Sequence, residues 1–289
     1  MSADPIPVQP PQDVQLPKPG MSRTQKLLFF LTAWLICLMP FLFWWNTWFG
    51  RKLTDQQLNE YLNDTKKPRH IQQALVQVGE RITRQDTAAK QWYPELVRLA
   101  ADPVEEVRNT DAWVMGQDTS GAGFHEALLK MLADSSPMVR GNAALSLVRF
   151  GDATGRPQIL QLLRPAQISS PESGRIVDAA RPGTAIHQGG LIAKLQYGNG
   201  KIAEVRSPIP GRICSVIGTG ANVAAGAEVA VVDPANDQVW EALRALYLIG
   251  QPDDISVIRP YERDLPDISN GVRQQAVETE QAIKKRSGS

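Results

Sequence analysis

The sequence predicts an α + β chain of several parts: one membrane-spanning helix, a solenoid of short amphipathic helices, and an all-β domain set into that solenoid. Three observations carry this reading. They are a 23-residue stretch without charge, a helical motif recurring every 32 or 33 residues, and a glycine-cornered pattern that repeats once at an offset of 37. At 289 residues and 43% hydrophobic content the chain can build one large or two ordinary domains. Its 31 basic and 30 acidic side chains leave a net charge of +1, so no general field draws in nucleic acid.

The apolar helix runs from Leu27 to Phe49 (27–49). At ~1.5 Å per residue it spans about 34 Å, enough to cross a bilayer core. Its Leu, Ile and Phe residues together favour insertion by about 5 kcal/mol, against the cost of Pro40 and Asn46. A soluble helix would show a polar face, and this stretch has none. Trp44, Trp45 and Trp48 gather at its end, where amphipathic rings settle among headgroups, and Arg51 and Lys52 follow. Those five residues form the expected anchor, in contact with the lipid bilayer. Bulky tryptophans also occupy the place where a cleavable signal peptide needs small residues. Ahead of the span, residues 1–26 form a Pro-rich tail that cannot bury a core, and Met21 offers an alternative start. Lys18, Arg23 and Lys26 precede the span, while Arg51, Lys52, Lys66, Lys67 and Arg69 follow, a count slightly against an exported domain.

From residue 53 to 165, and again from 236 to 286, amphipathic helices alternate with Asp, Gly and Pro punctuation. Pro103 and Pro137 stand just inside helices that Asp102 and Ser136 can cap. Val107-Arg108 recurs at Val139-Arg140, and Val239-Trp240 at Val272-Arg273. In the best copy, Val139, Ala143, Ala144, Leu147 and Val148 make one helical stripe, and Ile159, Leu160, Leu162 and Leu163 follow on a second helix. Asp111 interrupts the stripe of the preceding copy. An earlier unit occupies about 69–101. A unit of this kind cannot bury its stripe alone, so neighbours must stack. The pattern resembles the HEAT family, whose Val-Arg, small-residue and terminal Gly-Asp positions match Val139, Arg140, Ala143, Ala144, Gly151 and Asp152.

Val139 and Val239 lie 100 residues apart where one repeat step is expected. The surplus, 166–235, lacks helical periodicity and is dense in Gly, Pro, Val and Ile, which marks an inserted β domain. Ser170-Pro171-Glu-Ser-Gly174-Arg175-Ile176 is echoed by Ser207-Pro208-Ile-Pro-Gly211-Arg212-Ile213. At the same offset Gly183 meets Gly220 and Gly189 meets Gly226. Each half reads as strands joined by glycine turns, with Gly174, Gly183, Gly189, Gly211, Gly220 and Gly226 all expected at φ > 0. Gly218-Thr-Gly220 is not a dinucleotide loop, because Asp233 arrives too soon and the third glycine is misplaced.

The doubled pattern resembles the biotinyl/lipoyl-type barrel-sandwich hybrid, whose steps fall on Pro208, Gly211, Ile213, Gly220, Val223 and Gly226. Carrier members of that family bear a modified lysine between the halves. Here Lys201 lies one position off, in a setting that departs from the carrier motif. Unmodified versions occur in membrane-fusion (periplasmic adaptor) proteins, also behind one amino-terminal membrane helix. Those usually hold a long helical hairpin between the halves, where this sequence has only the turn around Asn199-Gly200.

No catalytic constellation is present. His70, His125 and His187 are scattered, Cys37 and Cys214 are unsuited to pairing, and Glu105-Glu106 and Asp253-Asp254 read as solvated helix-end charges. The expectation is a non-enzymatic, membrane-anchored scaffold or adaptor in a membrane or transport complex. It would have protein partners, no cofactor, no metal, no nucleic acid and no small-molecule substrate. Arg175 and Arg212 are its candidate partner contacts. The adaptor resemblance implies a bacterial inner membrane and a periplasmic soluble part. The alternatives are a carrier with lipoate or biotin on Lys201, and a HEAT-type helper in cofactor or chromophore attachment.

Overall fold

The computed structural model describes residues 22–48 and 52–288, the side chains of 42–48 excepted. Met21, Arg51 and the Pro-rich residues before Met21 lie outside the described residues, as do the side chains of Trp44, Trp45 and Trp48. The chain divides into two units, Met1–Lys52 and Leu53–Ser289.

The first unit holds helix α1 (Arg23–Trp48). It starts four residues before the uncharged run because Ser22 and Gln25 cap it reciprocally. The Gln25 backbone N–H donates to Ser22 Oγ at 3.2 Å, and the Ser22 N–H to Gln25 Oε1 at 3.0 Å. Among the described residues α1 is the one helix long and apolar enough to cross a bilayer. Leu27, Phe30 and Trp34 are exposed along it, and so is Lys52.

The second unit opens with α2 (Asp55–Leu62), α3 (Pro68–Thr83), a 3-10 turn (Thr87–Trp92) and α4 (Tyr93–Leu99). Then come α5 (Glu105–Met115), α6 (Phe124–Met131), α7 (Pro137–Arg149) and α8 (Arg156–Leu162). After eight strands the helices resume with α9 (Asn236–Ile249), α10 (Ile255–Ile258) and α11 (Asn270–Ser287). Helices α3, α5, α7, α9 and α11 stack each on the next, so α9 packs against α7 although the strands lie between them in sequence. One apolar core joins Ala144, Ile159 and Leu162 to Val239, Leu243 and Leu246, so the helices before and after the strands share it.

Buried hydroxyls form rungs between stacked helices. Ser146 Oγ donates to the Ala112 carbonyl at 2.8 Å, and Thr279 Oγ1 to the Leu243 carbonyl at 3.0 Å. These rungs align Ala112 with Leu243, so Gln238 rather than Val239 falls opposite Val107. Helix α9 is thus one residue out of step with the Val-Arg spacing. Two of the repeated arginines share a contact, Arg108 donating to the Asp102 carbonyl at 2.8 Å and Arg140 to the Asp134 carbonyl at 2.7 Å, whereas Arg273 meets the side chains of Asp264 and Asn270. Ser136 caps α7, with Pro137 in its first turn. Pro103, in contrast, stands before α5, and Asp102 accepts from the Val104 N–H in a turn instead of capping a helix.

The strands are β1 (Ala166–Ser169), β2 (Gly174–Ala179), β3 (Ala185–Ile186) and β4 (Leu191–Tyr197), then β5 (Ile202–Arg206), β6 (Gly211–Val216), β7 (Asn222–Val223) and β8 (Glu228–Pro234). They make two antiparallel sheets, ordered β1-β8-β6-β3 and β5-β4-β2-β7. Shifting every strand by 37 residues converts one order into the other, which is a pseudo-twofold axis. The halves are interlocked: β2 pairs with β7 and β3 with β6, each across the duplication. Between the sheets the core is also twinned, with Ile176 and Ile213, Leu195 and Val232, Ile168 and Val205 all buried.

Candidate functional site

Four of the six turn glycines take positive φ: Gly183 at 84°, Gly189 at 73°, Gly220 at 93° and Gly226 at 77°. Gly174 and Gly211 do not. They open β2 and β6, and their need is space. A Cβ on Gly211 would stand 1.8 Å from the Asp233 carbonyl oxygen, and one on Gly174 would stand 2.6 Å from that of Gln196. The two acceptors are themselves 37 residues apart, so one close approach is built twice.

Arg175 and Arg212 are exposed, yet each ties the halves together. Arg175 Nε donates to the Gly220 carbonyl at 3.2 Å, and Arg212 Nη1 to the Gly183 carbonyl at 3.2 Å. Arg212 also lies 3.4 Å from Asp267, on the loop before α11. Lys201 is exposed just past the β4–β5 turn, with its backbone N–H held by Asn199 Oδ1 at 2.9 Å.

The β domain sits on the edge of the solenoid where α5 and α7 begin. Glu105, in the first turn of α5, accepts from Ser136 Oγ at 2.6 Å and from Gln188 Nε2 of the β3–β4 turn. Around it lies a cleft of about 400 Å³ lined by Glu105, Glu106, Ser136, Gln188, Arg206 and Pro208, among others. Arg206 is fixed there by its bond to the Gly189 carbonyl at 2.6 Å and by Glu204. Glu105 is thus a seat for the domain rather than a solvated charge. Asp254 departs from the same expectation: it is buried, meeting Arg156 Nη1 at 2.6 Å and accepting from the Gln251 N–H. Neither pairing can be read from the sequence, since 83 and 98 residues separate the partners.

The histidines are dispersed: His70 meets Asp64, His125 meets Asp152, and His187 meets the Gln188 carbonyl. Among the described residues no three His, Cys, Asp or Glu side chains gather to hold a metal. Cys37 and Cys214 are free. The Asp233 charge, aided by desolvation, pushes the Cys214 thiol up. Burial would raise Asp134, but hydrogen bonds from Arg108 and Ser136 outweigh it and hold that carboxylate below its ordinary range. The seat is therefore a set of hydrogen bonds that holds the β3–β4 turn against the first turns of α5 and α7.

The helical geometry of α6 and α7 has a counterpart among known families. Residues 126–153 match the HEAT repeat. The matched unit begins on α6, so this HEAT repeat pairs α7 with the helix before it, whereas the sequence pattern pairs α7 with α8. No curated protein matches the chain. Among solved structures, a designed armadillo repeat protein is similar at 14% identity and a TM-score of 0.40, over 78% of this chain and 80% of its own. A single-chain, multi-domain long-chain acyl-CoA carboxylase is similar at 18% identity and a TM-score of 0.23, over 34% of this chain and 11% of its own.

Proposed function

We propose that this protein is a non-enzymatic, membrane-anchored scaffold or adaptor, with its β domain a barrel-sandwich hybrid of the biotinyl/lipoyl type. One observation carries the reading: the twofold domain uses only one of its two equivalent edges. The edge with Gln188, Gly189 and Pro208 is docked on the solenoid. Its counterpart, Ala225, Gly226 and Pro171, is exposed. A rigid module docked on one side and open on the other is suited to bridging two bodies. The solenoid adds exposed Trp113, Trp240 and Tyr247, and Arg244 stacks 4.6 Å over Trp240, a composition typical of binding hot spots. Helix α1 would hold the assembly in a bacterial inner membrane with the soluble part in the periplasm.

The test is affinity capture from detergent-solubilised native membranes, with Glu172→Arg and Ala225→Glu as variants of the free edge. A stoichiometric protein partner that is lost with the edge variants is expected. Recovery of the chain alone would sink the reading. Protease accessibility in spheroplasts decides the side of the membrane.

A second reading, a carrier, draws on the exposed position of Lys201 beyond the hairpin turn. Intact mass of the native protein tests it, since lipoylation or biotinylation adds a fixed increment and an unmodified mass removes the proposal.

A further inference from the structure

Asp111 lies in α5 with no exposed surface, and neither carboxylate oxygen has a hydrogen-bond partner. The rungs show what belongs at its position. Asp111 precedes Ala112 as Ala242 precedes Leu243, and Ala143 stands three residues before Ser146 as Ala276 stands before Thr279. Ala143, Ala242 and Ala276 are all fully buried. Helices α7, α9 and α11 thus fill one core position with a methyl group, and α5 fills it with a carboxyl group. Burying an ionised carboxylate without donors is far costlier than burying a neutral acid.

Two charges act on Asp111 without touching it: Arg98 of α4 attracts its charge, and Asp102 of the α4–α5 turn repels it. The other helices packed on α5 are α3, α6 and α7. Their charged side chains, including Arg81, Lys130 and Arg140, keep contact with solvent. Arg98 is itself engaged with Glu95 and with the Leu62 carbonyl. No donor stands ready to receive the ionised form.

We infer that Asp111 is a proton-operated release point in the solenoid: α5 packs between α3 and α7 around the neutral acid, and ionisation favours a loosened α5 whose carboxylate reaches water. This goes beyond the scaffold reading and does not depend on it. Burial raises the carboxyl well above its ordinary range, so the packed state keeps a proton that the loosened state gives up. The contribution to packing is therefore fully present below the ordinary carboxylate range and is lost as pH rises towards the raised value. The depressed carboxylates Asp134, Asp152 and Glu280 act in the opposite direction.

The experiment measures hydrogen-exchange protection of the α5 amides and the melting temperature, from pH 5 to 8, in the full chain in detergent. Wild type is compared with Asp111→Asn, which keeps the shape without the charge, and Asp111→Ala, which restores the residue of the sister repeats. Relative to Asp111→Asn, wild-type protection in α5 should fall by up to about tenfold per pH unit. The advantage of Asp111→Ala over wild type in melting temperature should widen with pH. A constant difference across that range overturns the inference. So does an Asp111→Ala protein that melts below wild type at pH 8, or failure of both variants to fold, since either makes the carboxyl a structural partner.

Discussion

Arg156 Nη1 meets the buried carboxylate of Asp254 at 2.6 Å, joining the last helix before the β domain to the turn after α9. The pair spans the insertion and fastens the two stretches of solenoid to each other. Removing the arginine would strand a carboxylate whose side chain is only 3% exposed. Arg156→Ala should cost about 3 kcal/mol in chemical denaturation, while Asp254→Asn should cost less, because the Arg156 side chain it leaves unpaired is 25% exposed and reaches water. Equal and small losses would mean that the pair is not a fastening.

The two kinds of glycine predict different penalties. Gly183→Ala meets no atom and pays only for its positive φ, about 1–2 kcal/mol. Gly211→Ala forces β6 away from β8, because the added methyl would overlap the Asp233 carbonyl. Its β domain should lose amide protection across β6 and β8 under conditions where Gly183→Ala retains it.

Glu105 joins Ser136 to Gln188. In Glu105→Ala both donors lose their acceptor, at about 1–3 kcal/mol for the seat. The loss should be local. Limited proteolysis is expected to quicken in the β3–β4 turn while helical circular dichroism is unchanged.

Hydrogen bonds from Arg259 and Lys284 lower the Glu280 carboxyl to about 2. A carboxyl lower in the folded chain than in the unfolded one stabilises above its unfolded value near 4.5, and that contribution disappears as pH falls from there towards 2. Melting of wild type between pH 6 and 2.5 should therefore drop more steeply than melting of Glu280→Gln. Parallel slopes would refute the assignment.

Much of this architecture can be read in the chain because its signals are local or duplicated. The uncharged run, the Val-Arg step and the spacing of Gly183, Gly189, Gly220 and Gly226 each follow from neighbouring residues that set a helix period or a turn. Ser22-Arg-Thr-Gln25, the cap that lengthens α1, is a local signal of the same kind. Gly174 and Gly211 look like their turn-forming neighbours because sequence marks where a side chain is missing, without saying whether φ or crowding demands it. The candidate site is harder. Arg175 and Arg212 stand out by their echo, but their acceptors, Gly220 and Gly183, belong to the opposite halves.

The amino-acid sequence by itself determined a long apolar helix, a stack of amphipathic helices and a β pattern written twice, since periodicity and backbone freedom are properties of short stretches. Only the tertiary structure decided that the two β halves exchange strands, that Glu105 seats Gln188, that Arg156 closes on Asp254 and that Asp111 has no partner. The reason is physical: contacts between residues remote in sequence depend on which surfaces are buried together, and burial belongs to the assembled chain as a whole.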